Sequence, residues 1–207
     1  MYIPKMFEEK DKNEIAHFLE QNSFGTLVSV FNSKPIASHL PFHMDEINEQ
    51  NILLSSHIAK ENEIKNCFDE RTLMIIFLGA HDYISPQWYK EMNVPTWNYL
   101  SVHLYGKVKV LAGDEAKKSL NKLMKKYEAS QKVPKEIKDI PAKVFEQDFK
   151  NLIAFEFQVH EIHAAFKLSQ NRDNESYKNI VYNLENNNTF PNQPLADEMK
   201  KKRPNLF

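Results

Sequence analysis

Stretches with strand character follow one another along most of this chain, and helices are inserted among them one at a time. A parallel sheet would need a helix between most of its strands, and this chain lacks those helices. The order therefore predicts about five to seven antiparallel strands, connected as hairpins and meanders and arranged as a barrel. One of the stretches, 72–78, is continuously apolar, which indicates burial on both faces. The stretches are 25–31, 35–42, 51–57, 72–78, 97–111 and 152–168.

Amphipathic patterns predict where the helices lie. The segment 114–129 begins with a capping aspartate and directs Leu120, Leu123, Met124 and Tyr127 inward. The other predicted helices begin after the capping box 11–14 and at 60, 142 and 174, and the last three end near 68, 150 and 186. Residues 1–185 are therefore expected to form one domain, mainly β with inserted helices. An Asn-rich turn at 186–192 follows, so 186–207 are expected to form a C-terminal surface appendage.

Composition argues against several classes of protein. The chain has 207 residues, a formal net charge of −1 and a single cysteine, Cys67, so an internal disulfide cannot form. That cysteine count fits a reducing cytoplasm, and no apolar run approaches the ~20 residues of a membrane span. A glycine-rich phosphate loop is missing, which argues against a dinucleotide-binding fold. Basic residues cluster only at 117–118, 125–126 and 200–203, so the charge distribution does not support DNA as a partner.

The segment 79–106, GAHDYISPQWYKEMNVPTWNYLSVHLYG, is the richest in aromatic residues. It holds two Trp, four Tyr and two His in 28 positions. Rings at this density beside hydroxyl and amide groups suit a flat aromatic ligand, because a ring face stacks while polar groups fix its orientation. The alternative is a loop that packs its own aromatic side chains onto a β-core.

Five motifs in this chain give it a family resemblance. In chain order they are SHLPF at 38–42, HIAKEN at 57–62, DYISPQWY, VPTWNYLSVHLYG and FKLSQNR at 166–172. In this order they resemble the PaiB-type family of FMN-binding negative transcriptional regulators, and the match runs from residue 1 to about 185. The resemblance implies the split antiparallel β-barrel that pyridoxamine-phosphate-oxidase-like flavoproteins share. It also implies a homodimer that holds FMN in a groove between its subunits.

The phosphate of FMN needs cations and hydroxyl or N–H donors close together. The resemblance assigns this role to Ser55, Ser56, His57 and Lys60, and a helix starting near Lys60 would add N-terminal amides. Related oxidases have a Ser-Arg-Lys step here, whereas this chain has Ala59 where their arginine stands, so one positive charge is missing. The alternative is a solvated helix start with a lone surface lysine.

The flavin ring and ribityl chain are assigned to three further segments. Backbone groups of the strand carrying Ser38, His39 and Leu40 would bond the pyrimidine edge of the ring. Trp97, Asn98 and Tyr99 are the candidates for ring and ribityl contacts, and His103 follows on the same strand side as Trp97, Tyr99 and Ser101. The resemblance places the polar end of the last strand near the dimer interface and the cofactor, and its candidates are Lys167, Gln170 and Arg172. For these segments the alternatives are a core-packing strand and a strand end that breaks into a loop.

The histidines suggest two further ligands. Strand alternation puts His160 and His163 on opposite faces, and His39 and His43 would be about 13 Å apart, so a metal site is not predicted. Haem is a third hypothesis, because split-barrel relatives also bind haem, and the candidate axial ligands are His39, His81 and His163.

Two functions of different classes are consistent with these patterns. The first is an FMN-binding regulator of transcription that acts on DNA directly or indirectly. The alternative is an FMN-dependent oxidoreductase of the pyridoxamine phosphate oxidase or flavin reductase kind, in which the cofactor performs the redox step. The arginine-and-histidine substrate signature of those oxidases is replaced here by FKLSQNR, which favours the regulator.

Overall fold

One seven-stranded sheet and five α-helices make up the regular structure of the residues that can be described. The computed structural model describes residues 1–48, 51–69, 71–187 and 191–207. The strands are β1 (Phe24–Phe31), β2 (Lys34–Pro41), β3 (His43–Ile47), β4 (Ile52–Ala59), β5 (Leu73–Ile84), β6 (Thr96–Val110) and β7 (Leu152–Lys167). The helices are α1 (Lys12–Gln21), α2 (Gly113–Glu128), α3 (Ala142–Phe149), α4 (Asn174–Asn186) and α5 (Gln193–Lys202). Within these ranges no helix is both long and apolar enough to cross a membrane.

The strands follow in the order β2-β1-β5-β6-β7-β4-β3 across the sheet. The chain divides into two compact units, and β5, β6 and β7 contribute residues to both. The first unit comprises Met1–Ile15, Leu78–Val102 and His163–Phe207, and the second unit comprises Ala16–Phe77 and His103–Ile162.

The second unit begins with a tight hairpin. β1 pairs with β2 from Phe24 opposite Pro41 to Phe31 opposite Lys34. Asn32 and Ser33 at the tip have positive φ angles of 50° and 62°, the conformation that a two-residue hairpin turn of type I′ requires. The sequence prediction of two strands joined at 32–34 is therefore confirmed.

Phenylalanine rings fill the core of the second unit. The Phe42 ring packs edge-on against Phe77 and Phe155, with centroids 5.5 Å and 6.4 Å apart. On β1, Gly25 lies so close to the Phe77 ring that a Cβ atom at this position would come within 2.6 Å of it. The glycine is needed for this close approach, because a larger residue would displace the ring.

Helix α2 covers one face of the strand pair β3–β4 in the second unit. Its Ala116 and Leu120 join Leu111 and Ala154 in an apolar cluster. Farther along α2, the Lys122 ammonium group pairs with the Asp45 carboxylate at 2.5 Å. The apolar stripe predicted from the sequence is correct for Leu120 and Leu123, which are buried, and wrong for Tyr127, which is exposed and uses its hydroxyl to contact Ser23.

Helices α4 and α5 pack against each other in the first unit. Leu195, Ala196 and Met199 of α5 are fully buried. The Tyr177 hydroxyl of α4 donates to the Met199 carbonyl oxygen at 2.7 Å. The surface appendage expected for 186–207 is therefore wrong for α5, whose apolar side belongs to a core. The residues 188–190 of the predicted turn lie outside the described ranges.

Three other sequence predictions need correction. β3 was not predicted, because its five residues, HMDEI, lack an apolar alternation. β5 is not buried on both faces: Leu73, Ile75 and Phe77 are buried, whereas 54% of Leu78 is exposed. The helix expected at 60–68 is a five-residue 3₁₀ helix, Glu63–Cys67, so Lys60 precedes its start.

Candidate functional site

The candidate residues are divided between the two units. The second unit holds Ser38, His39, Leu40, Ser55, Ser56, His57, Lys60 and His103. The first unit holds Trp97, Asn98, Tyr99, Lys167, Gln170 and Arg172. Each group is described by itself below.

Lys60 lies in the turn that follows β4. The Asn62 amide donates to the Ala59 carbonyl oxygen at 3.0 Å and closes this turn, while the Lys60 amide donates to the Asn151 carbonyl oxygen at 2.9 Å. Asn62 caps the short 3₁₀ helix, since its Oδ1 accepts the Ile64 amide at 3.1 Å. The Ile64 amide is therefore already engaged by the Asn62 side chain, and the helix begins at Glu63 rather than near Lys60.

Two polar side chains and two lysines gather around this turn. Asn62 Nδ2 donates to Ser38 Oγ at 2.8 Å, which ties the turn to β2. Lys65 Nζ donates to the Lys60 carbonyl oxygen, so a second ammonium group enters the same turn. Both lysines are exposed, and neither forms a salt bridge with a carboxylate of the described ranges. Two cations beside a hydroxyl and an amide are the donor set that a phosphate dianion needs.

The three β4 candidates do not form one group. Ser56 lies on the core side of β4 with Leu54 and Ile58, and its hydroxyl donates to the Pro41 carbonyl oxygen at 2.7 Å. Ser55 and His57 lie on the opposite side of the strand. Ser55 is buried, and its Oγ and the Nδ1 of His57 have no hydrogen-bond partner among the residues that the structure describes. Because Ser55 and Ser56 are both buried, the fit to a phosphate is better at the turn that follows.

His39 lies on an open face of the sheet in the second unit. Its Nδ1 is 2.9 Å from the Thr26 hydroxyl, the residue opposite it on β1. Ser38 is half-buried and Leu40 is buried on the core side. The same open face carries Phe24 and Val30, which are 64% and 55% exposed. This face of the β1–β2 hairpin is thus largely apolar and uncovered.

Strand alternation on β6 separates Asn98 from its neighbours. The side chains of Trp97, Tyr99 and His103 lie on the less buried side of the strand. Trp97 is 54% exposed, and its ring centroid lies 6.4 Å from His81 and 6.2 Å from Tyr83. This exposed aromatic group in the first unit offers flat faces for stacking.

Asn98 points to the opposite side and is fully buried in the first unit. The Ser169 hydroxyl donates to Asn98 Oδ1 at 3.0 Å. Asn98 Nδ2 donates to the Met199 sulfur at 3.5 Å. The Asn98 side chain therefore links the segments that carry Ser169 and Met199, and its contact with a ligand stays a prediction.

The polar end 166–172 breaks into a turn. β7 ends at Lys167, and Ser169 has a positive φ of 57°, so the alternation expected for a regular strand stops there. The Gln170 amide donates to the Phe166 carbonyl oxygen at 2.7 Å. Arg172 lies 4.7 Å over the Tyr89 ring. Lys167 contacts the Thr96 hydroxyl, and burial lowers the pKa of its ammonium group below the ordinary value.

Sequence reasoning missed Lys65 and assigned no role to Asn62. Asn62 stands inside the motif HIAKEN, and a signal was available in its position, since an Asn directly before a helical turn is a common cap. Lys65 gave no comparable signal, because its approach to the Lys60 carbonyl depends on the path of the turn.

Within the first unit, the three lysines of the basic run at 200–203 pair with carboxylates, and Arg203 bonds to neutral oxygen atoms. Lys200 pairs with Glu185 at 2.5 Å, Lys201 with Glu198 at 2.6 Å and Lys202 with Glu9 at 2.8 Å. The guanidinium of Arg203 donates to the Arg172 carbonyl oxygen at 3.0 Å and to Asn174 at 2.9 Å. On α2 the partners Glu146, Asp45 and Glu136 neutralise Lys117, Lys122 and Lys125 in the same way. These charges are therefore engaged by the protein itself.

Comparison with known proteins identifies the family. The domain family described as "Putative FMN-binding domain" matches residues 1–161. Protease synthase and sporulation protein PAI 2 of Bacillus subtilis is 37% identical over 203 residues, which cover 98% of each chain.

Two solved structures share the fold at low sequence identity. The FAD and haem binding protein from Mycobacterium smegmatis aligns with a TM-score of 0.60 and 12% identity, covering 77% of this chain and 73% of that one. The flavocytochrome Anf3 from Azotobacter vinelandii aligns with a TM-score of 0.56 and 10% identity, covering 80% and 72%. The predicted fold class, mainly β with inserted helices, is confirmed. The chain therefore belongs to the PaiB-type family of FMN-binding proteins with the split antiparallel β-barrel fold.

Proposed function

We propose that this protein binds FMN through the turn 59–65, which would hold the phosphate, and that it regulates transcription without a DNA-binding surface of its own. When bound, FMN supplies a flat, redox-active ring system. The observation that carries the phosphate assignment is the contact of Lys65 Nζ with the Lys60 carbonyl oxygen. This contact brings the Lys65 ammonium group to the turn as a second cation. The turn otherwise has one positive charge fewer than related oxidases, which have an arginine where this chain has Ala59.

The polar groups of the turn favour the same assignment. Asn62 Nδ2 donates to Ser38 Oγ at 2.8 Å, so the hydroxyl and the amide have fixed positions before a ligand binds. Groups fixed in this way lose little conformational freedom on binding. Their Lys60 and Lys65 neighbours are exposed and can reach a ligand.

Ring contacts are proposed separately for β6 and β2. Trp97 and Tyr99 present aromatic faces on the accessible side of β6. β2 is the first strand in the sheet order, so the edge that faces away from β1 has no strand neighbour among the described residues. Consecutive residues of a strand direct their backbone groups to alternate edges, so those backbone groups of Ser38, His39 and Leu40 that face the open edge can bond the polar rim of a flavin. Roles for His103, Lys167, Gln170 and Arg172 stay predictions.

The phosphate assignment is tested by comparing FMN with riboflavin, which lacks the phosphate. Binding of each is measured by the quenching of flavin fluorescence for the wild type and for Lys60→Gln and Lys65→Gln. We expect each variant to weaken FMN binding about tenfold, as the loss of a charged hydrogen bond does, and to leave riboflavin binding unchanged. Lys34→Gln, at the exposed hairpin tip of the same unit, is the matched control. Equal affinity of the wild type for the two flavins would refute the assignment.

Trp97→Ala tests the ring contact independently. Stacking of a flat heterocyclic ring on an aromatic side chain contributes about 1–3 kcal/mol to binding. We therefore expect the affinities for FMN and riboflavin to fall by the same factor. Tyr182→Ala, an exposed aromatic residue of α4 in the same unit, is the control. A variant that binds both flavins as the wild type does would exclude Trp97 from the site.

We propose a homodimer formed through the open face of the β1–β2 hairpin. Phe24 and Val30 expose large apolar side chains there, and exposed apolar patches of this kind usually mark an interaction site. Light scattering after size-exclusion chromatography should give about twice the chain mass of 24.3 kDa for the wild type and a single-chain mass for Val30→Asp. A monomeric wild type would contradict the proposal.

Indirect regulation is proposed because five of the eight basic residues at 117–118, 125–126 and 200–203 pair with carboxylates. Phosphate contacts require free cations, and Lys200, Lys201 and Lys202 each have a carboxylate partner. A mobility-shift assay with purified FMN-loaded protein at physiological salt should show no shift of promoter DNA at micromolar concentration. A sequence-specific shift would overturn the indirect mode while leaving FMN binding intact.

A further inference from the structure

Four buried polar atoms lie close together on β3 and β4 in the second unit. They are His43 Nδ1, Asp45 Oδ2, Ser55 Oγ and His57 Nδ1, and none has a hydrogen-bond partner among the residues that the structure describes. A buried polar group without a partner costs about 1–3 kcal/mol. Such atoms in a stable core therefore call for an explanation beyond packing.

Strand pairing places the two histidines on one face. His43 is directly opposite Ser55 in the β3–β4 pairing. His57 lies two residues beyond Ser55 on β4 and hence on the same side of the sheet. Ala154, the residue opposite His57 on β7, belongs to the apolar cluster that includes Ala116 and Leu120 of α2. The two imidazoles thus lie beneath the helix that covers this face.

Charged groups around the histidines are mostly positive on the helix side. Lys122 of α2 pairs with Asp45, and Lys126 of α2 donates to the Phe42 carbonyl oxygen at 3.4 Å. The remaining groups are more distant or already paired: Glu20 of α1 acts on Lys126, and Glu156, opposite Ser55 on β7, pairs with Lys109 of β6 at 3.3 Å. A proton added to His43 would therefore be repelled by Lys122 and Lys126 and attracted by Asp45, whereas a proton added to His57 would be opposed by burial.

We propose that His43 and His57 form a pH-sensitive latch, which holds α2 on β3–β4 while both imidazoles are neutral and releases the helix when they are protonated. Protonation would place one new positive charge on His43, near Lys122 and Lys126, and a second on His57 in a partly buried position beneath the helix. Like charges in a partly desolvated site repel more strongly than in water. The contacts of α2 with Asp45 and with the Phe42 carbonyl would then be the first to open.

Burial acts on both histidines in the direction that the latch needs. It lowers the pKa of His57 and is the largest influence on His43, whose pKa is also lowered by Lys126 and Lys122 and raised by Asp45. A lowered pKa in the folded state means that the unfolded or opened state binds protons first as the pH falls. Acidification below the ordinary value of 6.5 therefore favours the opened state.

Amide hydrogen exchange of the full chain tests the latch. After correction for intrinsic exchange, protection of α2 should fall at least ~10-fold between pH about 7.5 and about 5.5, because the opened state binds protons at both imidazoles more readily than the folded state does. Protection of α4 in the first unit should change much less. In the double variant His43→Gln/His57→Gln, α2 protection should be the same at both pH values. His160→Gln, an exposed position on β7, should behave as the wild type does.

Three outcomes would overturn the latch. The first is wild-type α2 protection that does not change with pH. The second is a loss of α2 protection in the double variant as large as in the wild type. If the double variant does not fold, ring titration of the wild type by NMR replaces it, and titration of both rings at or above 6.5 is the third outcome.

Discussion

The two units differ in their buried polar groups: of the buried side-chain atoms that lack a hydrogen-bond partner in the described ranges, most belong to the second unit, and the Tyr89 hydroxyl belongs to the first. In the first unit, Asn98, Ser169 and Tyr177 are buried and each has a hydrogen-bond partner. In the second unit, Ser55 and His57 have buried polar atoms that lack one in the described part of the chain. Buried polar groups that are hydrogen-bonded to each other specify a single packing of the core. Buried polar groups without a partner are tolerated only while they are uncharged or hydrogen-bonded to water. The first unit should therefore respond to truncation, and the second to pH.

The largest effect is expected for Met199→Ala in the first unit. Met199 is fully buried, and its sulfur and carbonyl groups receive the hydrogen bonds of Asn98 and Tyr177. Truncation should lower the free energy of unfolding by about 2–5 kcal/mol, measured by urea denaturation. The control Met92→Ala removes a side chain that is 84% exposed and should change it by less than about 0.5 kcal/mol. Equal urea midpoints for the two variants would show that α5 is not part of a core.

Asn98→Ala should have the next largest effect. It leaves the Ser169 hydroxyl without its acceptor, so we expect a loss of about 1–3 kcal/mol in the same measurement. Asn171→Ala, at an exposed position of the same segment, is the control. Because the Asn98 side chain is buried, the folded variant should keep wild-type FMN affinity, and a selective loss of FMN binding without a loss of stability would show that Asn98 contacts the ligand.

Adjacent serines on β4 give a sharper comparison within the second unit. Ser56→Ala removes the hydrogen bond to the Pro41 carbonyl oxygen and should cost about 1 kcal/mol. Ser55→Ala removes a hydroxyl that has no partner in the described ranges, so the free energy of unfolding should stay the same or rise slightly. Each serves as the control for the other in urea denaturation. A larger loss for Ser55→Ala would mean that its hydroxyl is satisfied after all.

The last comparison concerns the dependence of stability on pH, which both histidines contribute to because their pKa values are lowered. The pKa of His57 is lowered by burial, so its neutral form is favoured in the folded state. Above 6.5 the neutral form prevails in both states and stability is level, while below this value the unfolded state binds protons first and stability falls. The urea midpoint of the wild type should drop on acidification, and that of His57→Gln should drop less. His160→Gln should follow the wild type, and an equal drop for His57→Gln would contradict the assignment.

Long, periodic elements could be predicted from the sequence with good accuracy. The helix predicted at 174–186 coincides with α4, whose cap Asp173 accepts the Ser176 amide, and the long strands β6 and β7 lie where the alternation placed them. The burial of α5 could not be predicted in the same way. Its apolar residues Leu195, Ala196 and Met199 are few, and the Asn-rich turn before them suggested a surface segment.

The candidate site was less predictable than the fold, for two physical reasons. Strand alternation, which was applied correctly to Trp97 and Tyr99, already placed Asn98 on the other face, but the family motif grouped the three residues together. The second reason is that a turn brings together residues whose spacing has no period. The contact of Lys65 with the Lys60 carbonyl depends on the turn closed by Asn62, so only the three-dimensional structure shows it.

The ion pair between Lys202 and Glu9 has a practical consequence for work on this protein. It fastens a residue near one end of the chain to a residue near the other, and Glu9 is nearly buried in the pair. Affinity tags or fluorophores fused at either end would therefore crowd the same part of the first unit. An internal label in the exposed loop around residue 132, which belongs to the second unit, would leave that pair intact.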